Sequence, residues 1–259
     1  MPDGARPCWT ASSNWTRVQV AAFVVHAAAL IATPLRRRGR RAGLAGTVIA
    51  TLCCATGAAA ARRWGPGRAA GTGAALVATT ALIEKVGTRT GIPFGRYAYS
   101  GALRPTVRGI PTVVPAAWFA MALPAREVAH SALGERSTAL RRIGAGALCL
   151  TAWDLFLDPQ MVGEGYWRWA RRGRYRGIPL TNYLGWLLTS AFVMAMLEVL
   201  VPPGAPEATL IGEYGWMAVM QTLGFAAFFD DPVVAAVGGA AMLPPALIAA
   251  VRALASTRG

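Results

Sequence analysis

The sequence predicts an all-α fold, a polytopic integral membrane bundle of about seven or eight transmembrane helices. Three observations carry this. Hydrophobic residues make up 54% of the 259 positions and charged residues only 15%, against roughly 25% charged in an ordinary soluble domain. The charges are clustered, which leaves apolar runs of about 18 to 20 residues, long enough to cross a hydrocarbon core of about 30 Å. Arginine runs then fall in the short connections between those stretches, where basic residues set orientation.

The predicted spans are 16–33, 43–61, 69–86, 111–130, 143–160, 183–201, 214–230 and 232–251. The first is long and lacks a small-residue cleavage site, so it is expected to remain as a span rather than leave as a signal peptide. The second and third are rich in Ala and Gly, and the third closes on Glu84 and Lys85. The fourth follows "RGIPTVVP", and the fifth contains Asp154 and Asp158. The sixth follows "RGIPLTNYLGW", and the last two flank Asp230 and Asp231. Most residues are expected to lie in or beside the membrane, so residues 1–259 are expected to form a single integral membrane domain, leaving no room among them for a separate soluble one.

A formal charge of +14 raises nucleic acid as a partner, since basic chains bind phosphate backbones. The distribution argues against it. Arg36, Arg37, Arg38, Arg40 and Arg41 lie between spans one and two; Arg168, Arg171, Arg172, Arg174 and Arg176 lie between spans five and six. The positive-inside rule puts such loops in the cytoplasm, and alternation then puts 87–110 and 161–182 there too. The segment 202–213 has Glu207 and Glu213 but no Lys or Arg, which suits an outer loop. The chain is therefore expected to be a multi-pass cell-membrane protein, with its arginines contacting anionic lipid.

Cys8, Cys53, Cys54 and Cys149 show no CxxC spacing, so neither a zinc site nor a disulfide framework is indicated. His26 and His130 are the only histidines. Two imidazoles are too few for the histidine-rich di-iron sites of membrane desaturases and hydroxylases.

The acidic residues carry more. Glu84, Asp154, Asp158, Glu198, Asp230 and Asp231 fall within or at the ends of predicted spans. A carboxylate at mid-bilayer costs roughly 2.5–3.5 kcal/mol on insertion scales, so such residues are functional candidates. Glu198, Asp230 and Asp231 are near enough to span ends to pair with arginine or reach headgroups. Glu84 has Lys85 beside it and Arg89 five residues on, so an ion pair competes with a functional role. Asp154 and Asp158 are one turn apart on one helix face. Two nearby carboxyls in an apolar site do not both ionise, which sets a general acid beside a potential general base. Pro159 removes a donor and disfavours helical geometry at Asp158, so the helix is expected to end or kink there and open Asp158 to a cavity. The bland alternative is that the pair caps helix ends or meets loop arginines.

Aromatic residues gather around the same places. Trp153, Tyr166, Trp167, Trp169, Tyr183 and Trp186 flank the aspartates, and Phe94, Tyr97, Tyr99 and Trp118 surround the connection between spans three and four. An interfacial belt explains Trp and Tyr at headgroup depth. A pocket whose ring faces attract a cation, each worth up to about 2 kcal/mol when desolvated, explains them equally well. "GIPFGRYAYSG", "RGIPTVVP" and "RGIPLTNYLGW" share a Gly-Ile-Pro element whose proline and glycine suit a stiff, shaped rim.

The combination of "GIPFGRYAY", "GIPTVVPAAWF", "TAWDLFLDPQMVGEGYWRW" and "GIPLTNYLGW" resembles the membrane carotenoid-biosynthesis proteins that include bisanhydrobacterioruberin hydratase and the γ-carotene 1′-hydratases. The resemblance runs from about Glu84 to about Leu200; the first 80 residues add only generic spans. It implies hydration of the terminal double bond of an acyclic, ψ-type carotenoid end, giving a tertiary alcohol. The substrate class it implies is lycopene-, γ-carotene- or bisanhydrobacterioruberin-like, and other carotenoid-pathway enzymes are the expected neighbours.

The residues suit that chemistry. Protonating a trisubstituted alkene leaves a tertiary carbocation and needs a strong, dry acid. Asp154 or Asp158 could supply it, the other could deprotonate water, and indole and phenol rings could stabilise the cation. The catalytic candidates are Asp154, Asp158 and Glu84. The substrate-binding candidates are Phe94, Tyr97, Tyr99, Trp118, Trp153, Tyr166, Trp167, Asn182 and Trp186. No metal, flavin or nicotinamide is required, and no glycine-rich nucleotide fingerprint is present. The deeper aspartate, Asp154, is expected to be the acid. Two rivals remain: an intramembrane prenyltransferase holding magnesium on the DxxxD of Asp154 and Asp158, and a non-enzymatic transporter or scaffold, whose mark would be repeat symmetry.

Overall fold

Each predicted span coincides with one helix of the computed structural model, which describes residues 8–256 apart from 38, 135 and 203, with side chains from Asn14 to Ala255. Arg38 and the Cys8 side chain therefore lie outside the described residues. Among those described, the helices are α1 (Cys8–Leu35), α2 (Arg41–Trp64), α3 (Pro66–Thr90), α4 (Val113–Leu133), α5 (Ala139–Gly163), α6 (Leu180–Leu200), α7 (Ala208–Ala227) and α8 (Pro232–Ser256). Four of them, α1, α2, α6 and α8, are long and apolar enough to cross a membrane. The other four carry polar groups that neighbouring helices cover. In α4 nearly every residue from Ala117 to Ser131 is buried, because α2, α3, α5, α6, α7 and α8 all pack against it. A helix enclosed on every side sits at the centre of a bundle.

Local chemistry sets the helix ends. Gly65 separates α2 from α3 with φ 87°, and Pro66 opens α3 at the first turn, where its missing N–H costs nothing. The Thr138 hydroxyl caps α5 by accepting from the Arg141 N–H at 3.3 Å. The glycines of the three Gly-Ile-Pro elements share one conformation: Gly91, Gly109 and Gly177 have φ of 81°, 86° and 82°. A side chain is strained there, and at Gly91 a Cβ would also come within 2.8 Å of the Arg96 side chain.

Two expectations need correction. First, α5 does not end at Pro159 but runs on to Gly163. Proline cannot donate to the carbonyl four residues back, and the Leu155 carbonyl it leaves free accepts instead from the Tyr175 hydroxyl at 3.1 Å. Pro124 in α4 is handled alike, with the Ala120 carbonyl accepting from Thr56 at 3.1 Å. Second, Glu213 is not in an outer loop. It lies inside α7, 2% exposed, and accepts from Thr56 at 2.9 Å and Gln19 at 3.2 Å. The connections also carry two short strand pairs. Strand β1 (Tyr97–Tyr99) pairs antiparallel with β4 (Trp167–Trp169), and β2 (Thr106–Val107) pairs with β3 (Ile110–Pro111). Alternating aromatic residues in "YAY" and "WRW" favour extended backbone.

The β1–β4 ladder brings the α3–α4 and α5–α6 connections to one end of the bundle. Arg41 to Glu164 at 2.6 Å adds the α1–α2 turn, and Arg176 to Asp231 at 2.5 Å adds the α7–α8 turn. The opposite end is tied by Arg62 to Glu207 and by Arg142 to Glu198, both 2.6 Å. Glu198 and Asp231 thus have the arginine partners their span-end positions suggested. Ala98 and Arg168 face each other directly across β1–β4 and are both exposed. An Ala98→Cys/Arg168→Cys double variant should therefore cross-link under mild oxidation; uncross-linked protein would show that the two connections do not meet.

Candidate active site

At the end marked by β1–β4, a cavity opens among α1 to α7, lined mainly by aromatic and aliphatic side chains. Glu84 comes from α3, Trp118 from α4, Trp153 and Asp158 from α5, and Asn182 and Trp186 from α6. Phe94, Tyr97, Tyr99, Tyr166 and Trp167 come from the connections. All the candidate residues named from the sequence therefore lie on its wall except Asp154, which is fully buried behind it.

The aspartates sit side by side on α5. The Asn182 amide nitrogen donates to Oδ2 of both, at 2.8 Å for Asp154 and in closer contact with Asp158. Asp158 Oδ1 also accepts from the Trp167 indole at 3.0 Å. Asp154 Oδ1 has no hydrogen-bond partner, so the shared Asn182 amide is what links the two carboxyls. Neither pairs with an arginine nor caps a helix end, so the bland alternative does not describe them. One neutral amide shared between two buried carboxyls leaves room for a proton between them, because N–H donors alone cannot balance two negative charges in an apolar site.

Glu84 makes no bond to Lys85 or Arg89. Lys85 donates instead to the Arg108 carbonyl at 2.6 Å. Glu84 Oε2 accepts from the Tyr99 hydroxyl at 2.7 Å and from the Tyr97 hydroxyl in a closer contact. Burial and the neighbouring Glu84 carboxylate push both phenols well above their ordinary range, so they remain donors. Tyr97 and Tyr99 sit in β1 opposite Trp169 and Trp167 of β4. The Tyr99 ring meets Trp167 edge-on at 5.8 Å, and Tyr97 meets Trp169 at 4.9 Å.

Trp118 and Trp186 stack at 4.0 Å, and Trp153 meets Trp186 edge-on at 6.2 Å. Phe94, Trp118, Trp153, Tyr166, Trp167 and Trp186 are all buried, which fits a cavity wall rather than a lipid-facing belt. Burial also pushes the Tyr166 phenol up to about 12. Tyr183 lies apart, against a separate groove between α5, α6 and α8.

Trp169, one of the aromatic residues flanking the aspartates, also lines the cavity. Gln160, Gln221 and the Arg41–Glu164 ion pair on the wall escape sequence reasoning, and the glutamines carry no signal that could have found them. Glu127, in α4, and Glu213 are two further buried acids away from the cavity, with Glu127 bound to Arg126 and accepting from the Glu207 N–H at 2.7 Å. Among the described residues no group of three or more His, Cys, Asp or Glu side chains is spaced to hold a metal ion.

Residues 42–255 match the family of carotenoid biosynthesis proteins. The match begins well ahead of Glu84, so the early helices carry family signal as well. Over 132 residues the chain is 36% identical to bisanhydrobacterioruberin hydratase of Haloarcula japonica, a stretch covering 49% of this chain and 44% of that protein. The chain thus matches less than half the length of this relative. No solved structure matches it.

Proposed function

The chain belongs to the carotenoid biosynthesis protein family, and from that premise we propose that it is a membrane carotenoid hydratase adding water to the terminal C=C of an acyclic carotenoid end. The observation that carries this reading is Asp158: a buried carboxyl on an aromatic-walled cavity, bonded only to the N–H donors of Asn182 and Trp167 and sharing the Asn182 amide with Asp154. Asp158 delivers a proton to the less substituted alkene carbon. The stacked Trp118 and Trp186, with Trp153 across them, stabilise the tertiary cation through their ring faces. Asp154 acts from behind as the proton-sharing partner. The acid's role passes from Asp154 to Asp158 because the depth that suggested Asp154 also removes it from the wall.

In this reading the eight helices are eight spans of one domain, and the arginine-bearing connections face the cytoplasm and anionic lipid. The prenyltransferase rival needs carboxylate oxygens open to magnesium and basic groups for a diphosphate. Here N–H donors occupy Asp158, Asp231 is bound to Arg176, and Arg168, Arg171, Arg172, Arg174 and Arg176 are exposed away from the cavity wall. The test is the purified protein in detergent or vesicles with lycopene or γ-carotene. A product heavier by one water, formed equally with and without a magnesium chelator, is expected. Magnesium-dependent diphosphate release would favour the rival, and no conversion by the purified protein would favour a transporter or scaffold.

A further inference from the structure

Hydration handles two protons, one delivered to the alkene and one removed from the water that captures the cation. With Asp154 behind the wall, the carboxyl groups facing the cavity are Asp158, Glu84 and Glu164, and Glu164 is held by Arg41 at 2.6 Å. We propose that Glu84 is the base that holds the attacking water and takes its proton, so that acid and base stand on different helices, α5 and α3, as a divided pair. The proposal rests on the hydratase reading and deepens it.

The β1–β4 ladder is what makes the division workable. Tyr99 donates to Glu84, Trp167 donates to Asp158, and these two residues are direct cross-strand partners. One register therefore fixes the orientation of both carboxyls relative to each other. Tyr97, one position along the same face of β1, adds a second hydroxyl to the same Glu84 oxygen. The tyrosines stay protonated, so they position the carboxylate and do not compete with it as bases.

The reaction balances without a co-reactant. The alkene π pair takes the Asp158 proton and forms a C–H bond, leaving the tertiary cation. A water lone pair forms the C–O bond while one water O–H breaks and its proton passes to Glu84. Glu84 then returns that proton to Asp158 through cavity water, restoring both groups.

Deuterium separates the two roles. In D2O the parent protein should yield the deuterated alcohol. Glu84→Gln, which can still accept from both tyrosines, should lose about 100-fold or more in hydration. It should still form the cation, which can lose to Asp158 the original hydrogen of the carbon that took up deuterium and revert to the starting alkene, so recovered substrate should gain deuterium. Asp158→Asn should show neither hydration nor exchange. Glu84→Asp, a carboxylate one methylene shorter, should recover hydration above the Glu84→Gln level. If folded Glu84→Gln hydrates within about threefold of the parent, or loses exchange together with hydration, Glu84 is not the base, while the hydratase reading stands. If the parent itself neither hydrates nor exchanges, the hydratase reading fails first and this assignment with it.

Discussion

Asp158→Asn lowers carotenoid hydration by about 100-fold or more, and Asp154→Asn lowers it by less, about tenfold, at matched protein levels. Asparagine keeps the size and polarity of aspartate but carries no transferable proton, so at Asp158 the group facing the alkene becomes inert. At position 154 the proton donor survives and only its partner is altered. Both variants should insert and fold, because Asn can still meet the Asn182 amide, which at present serves both carboxyls. Pigment conversion in a carotenoid-producing host, read by mass, gives the comparison. Equal, undiminished conversion by both variants would reduce the pair to a structural feature, and a larger loss at position 154 would return the acid's role to the buried member.

Gly185→Ala destabilises the protein and impairs the site at once. A Cβ at this position of α6 would sit 2.8 Å from the Pro93 backbone carbon and oxygen and 2.8 Å from the Phe94 ring. Backbone atoms cannot rotate away as a flexible side chain does, so α6 and the α3–β1 connection must move apart. Overpacking of this kind costs about 1–3 kcal/mol. Phe94 is 2% exposed on the cavity wall and packs edge-on against Tyr97 at 6.2 Å, so the displacement also reaches a tyrosine that holds Glu84. The expected result is a lower unfolding midpoint in detergent together with reduced conversion. An unchanged midpoint would mean that the contact between α6 and the Pro93 turn is looser than its geometry indicates.

The helices were readable because crossing a bilayer is a local requirement. A run of apolar residues of the right length declares a span wherever it occurs, and all eight runs coincide with helices. The boundary error at the start of α7 came from treating Glu213 as a loop residue, since its hydrogen-bond partners Thr56 and Gln19 lie far away in the chain. The candidate wall was readable for a similar reason: carboxyls and rings in apolar segments are costly or conspicuous enough to mark themselves.

What the sequence by itself determined, then, is the helical membrane architecture, the acids buried in it and the Gly-Ile-Pro turns that frame one end. Tertiary structure decided which atoms meet. Four-residue spacing places Asp154 and Asp158 on one face of α5, yet only the helices packed around that face settle that Asp158 looks into the cavity and Asp154 does not. Nothing adjacent to Glu84 announces Tyr97 and Tyr99 as its partners in place of Lys85; the register of β1 on β4 and the turn at Gly91 bring them there. The continuation of α5 past Pro159 likewise depends on Tyr175 reaching the Leu155 carbonyl. Hydropathy and helical period are properties of a segment, whereas a hydrogen bond between elements requires two distant segments to arrive together, and only the packed bundle specifies that.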